Sequence, residues 1–139
     1  MKDLSIYFEM SEERKGFNPG QIGERILNNS LINYEQLAEG SIALIYVPDY
    51  RNSDISQNEN WINDFRQSLF ELYAGEWKAE ICELGIIRPG ESVADTYMAV
   101  RDVVTELVKS EVFPIVIGGS QDLTYPIYQA YEKLEQTIN

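Results

Sequence analysis

The sequence contains no histidine among its 139 residues. Histidine is the usual proton acceptor near neutral pH and the commonest metal ligand in proteins. Its absence excludes a Ser-His-Asp or Cys-His mechanism within this chain. A metal site could be built only from carboxylates, carbonyl groups and water, which suit Mg²⁺, Ca²⁺ or Mn²⁺ rather than Zn²⁺.

Cysteine is nearly as scarce, because Cys82 is the only one. A single cysteine cannot form an internal disulfide, and this favours the cytoplasm as the compartment. Cys82 lies in an apolar run, where a free cysteine usually packs as a small apolar residue and does not act as a nucleophile. The first ten residues have no long apolar stretch, so they are not predicted to be a signal peptide.

Basic residues are also few: 11 Lys and Arg face 23 Asp and Glu, which gives a net charge of −12. This charge favours solubility, and it repels phosphate backbones and anionic lipid, so neither nucleic acid nor a membrane surface is an expected partner. No apolar run approaches the roughly 18 residues of a membrane span. Phosphate-loop and dinucleotide-binding glycine motifs are absent as well.

What the sequence does contain is an alternation of strand and helix patterns after an irregular segment, residues 1–40. Continuous apolar runs, typical of strands covered on both faces, predict three strands at 41–47, 78–87 and 113–117. Apolar residues at helical spacing predict a helix after each strand. Residues 41–139 are therefore predicted to form a β-α-β-α-β-α unit. Such a unit implies a three-layer α/β/α domain with a parallel sheet.

Capping signals mark where the helices begin. Ser56–Glu59 and Ser92–Asp95 both fit a capping box, in which side chains satisfy free amides at a helix start. The last helix is predicted over 123–136, with Pro126 tolerated in its first turn. Residues 137–139 have the composition of a strand that is about to begin.

The candidate site is the segment Gly118, Gly119, Ser120, Gln121 and Asp122, which follows the third predicted strand. Ligands of open α/β sheets bind beyond the carboxyl ends of strands. A helix N-terminus at this place would also favour an anion. Two simpler interpretations stay open. In one, the glycines form a tight turn with positive φ and nothing more; in the other, Asp122 is simply an N-cap.

Other polar and aromatic residues have simpler interpretations. Three acidic residues at helical spacing are interpreted as a solvated helix face: Asp95, Asp102 and Glu106. Glu80 and Glu83 lie near the second predicted strand, where one is expected at the surface and no partner is evident. Trp61 and Trp77 flank the first predicted helix and are interpreted as packing residues.

The glycine segment resembles the first metal-site motif of the ureohydrolase superfamily, which includes arginase, agmatinase and formimidoylglutamase. That motif reads Gly-Gly-Asp-His-Ser, and its histidine binds manganese. Here Ser120 stands at the position of the aspartate and Gln121 at that of the histidine. Glutamine transfers no proton at ordinary pH, and its amide oxygen is a weak neutral ligand compared with imidazole.

The resemblance covers most of residues 41–135. The segment 42–48 ends in the Val-Pro pair that is common in the first strand of the family. Phe65-Arg66 stands where the family has an Ile-Arg pair, and Glu83-Leu84-Gly85 where Asp-Leu-Gly is common. The sequence looks most similar to divergent bacterial formimidoylglutamase-like proteins. The resemblance implies an arginase-like sheet in which residues 41–47 lie between 79–87 and 113–118, the strand order 2-1-3.

The resemblance also implies a function. In the family, a hydroxide that bridges two metal ions attacks an amidine carbon, and the metals lower the pKa of the attacking water. The other ligands come from later Asp-x-His-x-Asp and Asp-x-Asp motifs, and the family fold is about twice as long as this chain. The chain is therefore interpreted as the N-terminal half of such a protein, with no catalytic or metal site of its own. Manganese is expected only in an intact member of the family.

Two alternatives come from other classes. One is a pseudoenzyme, a scaffold or ligand-binding protein that kept the arginase fold and lost the metal site. The other is an unrelated flavodoxin-like domain that binds an anion at a helix N-terminus.

The third predicted strand has consequences for partners. In the full fold it would pair with a strand from the remaining half of the parent protein, so in this chain its edge would be bare. Exposed edges invite pairing with other chains. We therefore expect either self-association through Phe113–Gly118 or coverage of this edge by the first forty residues.

Overall fold

The computed structural model describes residues 3–28, 36–54 and 60–134. The strands and helices in these residues are, in chain order, β1 (Phe8–Glu9), α1 (Ile22–Arg25), β2 (Leu27–Asn28), β3 (Ile42–Tyr46), α2 (Asn60–Glu71), β4 (Ile81–Ile87), α3 (Val93–Lys109), β5 (Phe113–Ile117) and α4 (Thr124–Lys133). A single 3-10 turn, Gln121–Leu123, joins β5 to α4.

The sheet has β3 at its centre. The strand order is β1-β4-β3-β5, and β2 also pairs with β4. β3 runs parallel to both β4 and β5, with Ile42 opposite Ile81 on one side and Phe113 on the other. The predicted order of the three long strands, 2-1-3, is confirmed.

Helices cover both faces of β3. Alternate strand residues point to opposite faces. Ala43, Ile45 and Val47 therefore pack into one core with the apolar face of α3. Tyr46 points the other way, where its ring contacts Trp61 and Phe65 of α2 edge to face. The three-layer α/β/α arrangement follows directly from the continuous apolar pattern of β3.

The predicted capping box at the start of α3 is confirmed. The Asp95 amide donates to Ser92 Oγ at 3.3 Å, and the Ser92 amide donates to the Asp95 carboxylate at 2.8 Å. Pro126 is buried in the first turn of α4, as predicted. The predicted capping box at 56–59, the end of the predicted last helix and the strand start at 137–139 lie outside the described residues.

A bulge in β4 lets the N-terminal segment close one edge of the sheet. Leu44 of β3 pairs with Glu83, but Ile45 pairs with Gly85, so β4 carries an extra residue at this point. Gly85 has φ +122°, and a Cβ there would lie 2.5 Å from the Glu9 carbonyl oxygen of β1. Only glycine therefore permits this close approach of β1.

The N-terminal segment covers the opposite edge from the one expected. β1 pairs with β4 antiparallel and β2 pairs with β4 parallel. For the described part of the first forty residues, the alternative that they cover the β5 edge is wrong. Glycine at position 85 is compatible with this arrangement, because a Cβ there would lie 2.5 Å from the Glu9 carbonyl oxygen of β1.

Cys82 is fully buried in the main core, which confirms its interpretation as a packing residue. Burial raises the pKa of its thiol to about 12, so it is held as the unreactive thiol. Within the described residues, the helices are all too short or too polar to cross a lipid bilayer.

The residues interpreted as a solvated face or as packing residues have mixed outcomes. Asp102 accepts a hydrogen bond from the Tyr7 hydroxyl at 2.8 Å, so it anchors the N-terminal segment and is not merely solvated. Trp61 packs against Tyr46 and Tyr50, whereas Trp77 is 46% exposed.

Candidate functional site at the carboxyl edge of the sheet

The loop after β3 and the turn after β5 meet at one edge of the sheet. Parallel neighbouring strands end at the same edge, and the Val47 amide still donates to the Ile117 carbonyl at 3.0 Å. Beyond this bond, the Ser120 amide donates to the Asp49 carbonyl, also at 3.0 Å. The predicted motif therefore lies against residues 48–54, at the place where open α/β sheets bind ligands.

The two glycines of the motif are required by the geometry of the turn. Gly118 and Gly119 have φ values of +94° and +77°. A Cβ on Gly118 would lie 2.2 Å from the Trp61 ring. A Cβ on Gly119 would lie 2.2 Å from Leu123 and 2.8 Å from the Val47 carbonyl oxygen. These contacts support the tight-turn interpretation, because side chains there would clash as well as strain the backbone.

The Asp122 carboxylate is held by donors of this chain. The Asn52 amide donates to Asp122 Oδ2 at 2.8 Å, and the Tyr97 hydroxyl donates to the same oxygen. The bond to Asp122 raises the pKa of Tyr97. Burial alone would raise the pKa of Asp122, but hydrogen bonds from Ser120, Tyr97 and Asn52 hold it below its ordinary value.

The interpretation of Asp122 as an N-cap is wrong. It lies inside the 3-10 turn, and Leu123 occupies the N-cap position of α4 without a side-chain cap. The sequence pattern failed because a 3-10 turn, which leaves no mark in apolar spacing, moves the N-cap of the helix from Asp122 to Leu123.

A second carboxylate, Asp49, lies beneath the same loop and is only 3% exposed. Arg51 binds it through Nε at 3.0 Å and Nη2 at 2.6 Å, and the Thr96 hydroxyl donates to it at 2.8 Å. The bonds from Arg51 hold the pKa of Asp49 below its ordinary value, against the opposing effect of burial. Arg51 also donates to the Glu91 carbonyl at 3.1 Å, so this network ties the loop to the start of α3.

These residues do not fit the two manganese ions that the arginase-like motif implies. Gln121, at the position of the metal-binding histidine, is exposed, and Ser120 is buried with its hydroxyl 3.3 Å from the Asp49 carbonyl. The carboxylate of Asp49 is already bound by a guanidinium, whose charge repels a divalent cation. In the part of the chain that the structure describes, no three carboxylate or thiol side chains converge as metal ligands.

The sequence patterns did not identify five residues of this site: Asp49, Arg51, Asn52, Thr96 and Tyr97. One signal could have found the first three, since they directly follow the Val-Pro end of a predicted parallel strand. Nothing local connects this loop to Thr96 and Tyr97, which lie more than forty residues further along the chain.

A buried ion pair on the α2 side of the sheet was also missed. Arg66 binds Glu83 through two bonds of 2.8 Å each, and the Tyr46 hydroxyl donates to Glu83 at 2.7 Å. The side chains of Arg66 and Glu83 are 3% and 2% exposed. The expectation that Glu83 has no partner is therefore wrong. The expectation that either Glu80 or Glu83 lies at the surface is confirmed, because Glu80 is exposed.

This pair joins several parts of the fold. Arg66 comes from α2, Glu83 from β4 and Tyr46 from β3, and Arg66 also donates to the Glu12 carbonyl of the N-terminal segment. Burial, followed by the charge of Glu83, raises the pKa of the Tyr46 hydroxyl, so it stays a donor. The pair therefore holds a helix, two strands and the N-terminal segment together.

The sheet order, the helices on both faces and the glycine turn at the carboxyl edge define an arginase-like α/β fold. The chain is similar to formimidoylglutamase from Bacillus subtilis subsp. subtilis str. 168, with a TM-score of 0.70 and 18% identity over 91% of this chain and 42% of that one. It is also similar to formiminoglutamase from Trypanosoma cruzi, solved with Mn²⁺, with a TM-score of 0.59 and 20% identity over 68% of this chain and 35% of that one.

These similarities establish the fold, and the chain spans less than half the length of either structure. No protein-family model and no curated protein sequence matches the chain.

The Asp49–Arg51 network predicts a defined pH dependence. A carboxylate whose pKa is lowered by folding stabilises the protein above its ordinary pKa of 3.8, and this contribution disappears as the pH falls through the lowered pKa. Arg51→Met should therefore lower the free energy of unfolding by about 1–3 kcal/mol at pH 7. The difference in the free energy of unfolding between Arg51→Met and the wild type should become smaller as the pH falls below the ordinary pKa of Asp49, 3.8. Urea unfolding across this range measures it.

Arg101→Met is the matched control, because Arg101 lies 3.9 Å from Asp102 in a partly exposed ion pair. We expect this substitution to lower the free energy of unfolding by less than about 1 kcal/mol. A loss for Arg51→Met that stays constant from neutral to acidic pH would contradict an electrostatic role for the pair.

Proposed function

We propose that this chain is one part of a ureohydrolase-like protein of the formimidoylglutamase type, and that by itself it hydrolyses no amidine. The fold and the partial coverage of the two similar structures support the first statement. One observation supports the second statement, that the chain by itself hydrolyses no amidine. The carboxylates at the carboxyl edge are bound by Arg51, Thr96, Tyr97 and Asn52, donors of the same chain.

The chemistry of amidine hydrolysis explains why this matters. Water attacks an unreactive carbon, so it must be made more acidic by metal ions or deprotonated by a base. The chain has no histidine to serve as the base. Gln121 cannot take a proton, and the Asp49 and Asp122 carboxylates have lowered pKa values, which makes them weak bases. The network cross-links the loop after β3, the start of α3 and the turn after β5.

The second candidate is a non-catalytic protein with the arginase fold. The bonds that Tyr97 and Asn52 make to Asp122 favour it, because they stabilise this edge without a metal ion. Manganese content and amidine hydrolysis of the complete natural polypeptide separate the two candidates. We place either protein in the cytoplasm, because Cys82, the one cysteine of this chain, is a buried free thiol. Anion binding at the last helix is disfavoured by the negative charge of Asp122 in the turn before it.

The proposal predicts that the purified chain retains much less than one equivalent of manganese after dialysis against Mn²⁺, measured by elemental analysis. Release of urea or formamide from arginine, agmatine or formiminoglutamate should equal that of the buffer blank. The double variant Ser120→Asp/Gln121→His restores the family motif, and it should still be inactive because the carboxylates remain engaged. Two tightly held metal ions, or activity in the double variant, would overturn the proposal.

A further inference from the structure

A cleft of about 260 Å³ lies on the side of the sheet that α2 covers, next to the edge that the N-terminal segment closes. Its walls come from the N-terminal segment, α1, β2, α2 and β4. In the sheet, β3 lies between β4 and β5. The remaining part of the polypeptide is expected beside β5, at the opposite edge, so the walls of this cleft are supplied by this chain.

The floor of the cleft is the buried pair of Arg66 and Glu83. Each of these residues is only 2% exposed, as is Phe70 beside them. Residues around the mouth, such as Glu13 and Lys15, are exposed. The cleft therefore leads from solvent to a charged pair that takes no part in the network at the carboxyl edge.

Arg66 has hydrogen-bond donors that the protein does not use. A guanidinium carries five N–H groups. Nε and Nη2 of Arg66 donate three bonds, two to the Glu83 carboxylate and one to the Glu12 carbonyl. Among the residues that the structure describes, no atom accepts from the two N–H groups of Nη1. These two donors are therefore available to a ligand in the cleft.

Glu83 retains one acceptor position. A carboxylate has about four positions that accept hydrogen bonds. Arg66 and the Tyr46 hydroxyl fill both positions of Oε2, and Arg66 fills one position of Oε1. Nη1 and Nη2 of Arg66 share one carbon atom, and Nη2 donates to Oε1, so the free donors and the free acceptor lie side by side. Buried polar groups need partners, so the floor fits a ligand head that both accepts and donates.

The lining of the cleft is electrically balanced. It has three cationic and three anionic side chains: Arg14, Lys15, Arg66, Glu13, Glu24 and Glu83. The chain as a whole has a net charge of −12, so it repels an anion. A cation would leave the N–H groups of Arg66 without an acceptor. A zwitterionic head, with a carboxylate for Arg66 and an ammonium group for Glu83, satisfies both members of the floor without adding net charge.

An apolar wall stands beside the charged floor. Phe17 and Phe70 form it, with ring centroids 5.8 Å apart and ring planes at 81°, and Ile26 extends it. A Cβ on Gly23 would lie 2.4 Å from the Phe17 ring, so this ring is seated against α1. A cavity of about 150 Å³ holds benzene, so the cleft has room for an aromatic ring and a compact polar head. Aromatic rings prefer to pack edge to face or offset, and this wall offers two partners.

We infer that this cleft binds an aromatic α-amino acid as its zwitterion. The carboxylate accepts from Arg66 Nη1, the ammonium group donates to Glu83 Oε1, and the ring packs against Phe17 and Phe70. Since Arg66 also holds the Glu12 carbonyl, the ligand joins the N-terminal segment to α2 and stabilises the folded chain. The inference goes beyond the proposed function and does not depend on it, because the cleft shares no residue with the network at the carboxyl edge.

Four small molecules test the inference by isothermal titration calorimetry on the complete polypeptide that contains this chain. L-Phenylalanine should bind. Phenylpropanoate lacks the ammonium group and phenylethylamine lacks the carboxylate, so each should bind at least about tenfold more weakly, because a group of the floor stays unpaired. L-Alanine has the same head without the ring, and it should also bind at least about tenfold more weakly because it buries less apolar surface.

Substitutions in the apolar wall locate the binding. Phe17→Ala removes half of the aromatic wall and should weaken the binding of L-phenylalanine about tenfold. Phe8→Ala is the matched control, because Phe8 is also a half-buried phenylalanine of the N-terminal segment but packs against the main core. It should leave the affinity for L-phenylalanine unchanged.

A second pair of variants tests the floor. Arg66→Met/Glu83→Met removes both charged groups and leaves no lone charge buried. It should keep the circular dichroism spectrum of the wild type and lose the preference for L-phenylalanine over phenylpropanoate and phenylethylamine. Arg88→Met removes the exposed pair with Glu9 and should keep that preference.

Three results would overturn the inference. Equal affinity for L-phenylalanine and phenylpropanoate would show that Glu83 does not select the head of the ligand. An equal loss of affinity in Phe17→Ala and Phe8→Ala would place the binding outside the cleft. Absence of binding of L-phenylalanine at millimolar concentration would leave water as the partner of the free groups at the floor.

Discussion

Replacing Arg66 with methionine should lower the free energy of unfolding by about 3–5 kcal/mol, because it leaves the buried Glu83 carboxylate without its counter-charge. Glu83 is 2% exposed, so water cannot replace the two lost hydrogen bonds. The Tyr46 hydroxyl still donates one bond, but a neutral donor does not balance a charge. Urea denaturation followed by circular dichroism measures the loss.

Two variants give this experiment its controls. Arg88→Met removes a similar pair with Glu9, whose side chains are 42% and 53% exposed. It should cost no more than about 1 kcal/mol. The double variant Arg66→Met/Glu83→Met removes both buried charges and should recover most of the stability that Arg66→Met loses. If Arg66→Met and Arg88→Met lost the same small amount, the buried pair would not have the role assigned here.

Replacing Gly119 with alanine should cost about 2–4 kcal/mol, the sum of backbone strain at positive φ and overpacking against neighbours. The new Cβ would lie 2.8 Å from the Val47 carbonyl oxygen and 3.0 Å from that of Asp49. These are backbone atoms that carry the contact between the two loops, so they cannot move away cheaply. The same denaturation assay measures the cost.

Gly40→Ala separates strain from the clash. Gly40 has φ +81°, close to that of Gly119, but a Cβ there would meet nothing within 4 Å. It should therefore cost only the left-handed backbone strain, about 1–2 kcal/mol. Equal losses for the two variants would show that the close approach at Gly119 is unimportant for stability.

The parts of the fold that were predictable follow from local patterns. The run at 42–46 is apolar on both faces and buried almost throughout, as a strand covered on two sides requires. The run at 113–117 is equally apolar and also forms a strand, although Phe113 and Ile115 are exposed. The capping box of Ser92 and Asp95 is contained within four residues. The glycine motif was found because a strand followed by two glycines marks a turn at the carboxyl edge.

The missed features depend on contacts between distant residues. Glu83 is separated from Arg66 by a helix end and a loop, and both are charged residues that composition assigns to the surface. The pairing of the N-terminal segment with β4 joins residues more than fifty positions apart, and the bulge at Gly85 appears only once β4 is paired with β3. The 3-10 turn that moved the start of α4 leaves no trace in apolar spacing.

The sequence by itself determined the order of strands and helices, the parallel sheet and the absence of histidine chemistry, because periodicity and composition act locally and need no partner. The tertiary structure alone decided which charges are buried, which edge of the sheet is closed, and that Arg51, Thr96, Tyr97 and Asn52 occupy the carboxylates beside the glycine motif. The physical reason is that desolvation and hydrogen bonding depend on which side chains meet in space. That meeting is set by the packing of elements far apart in the chain.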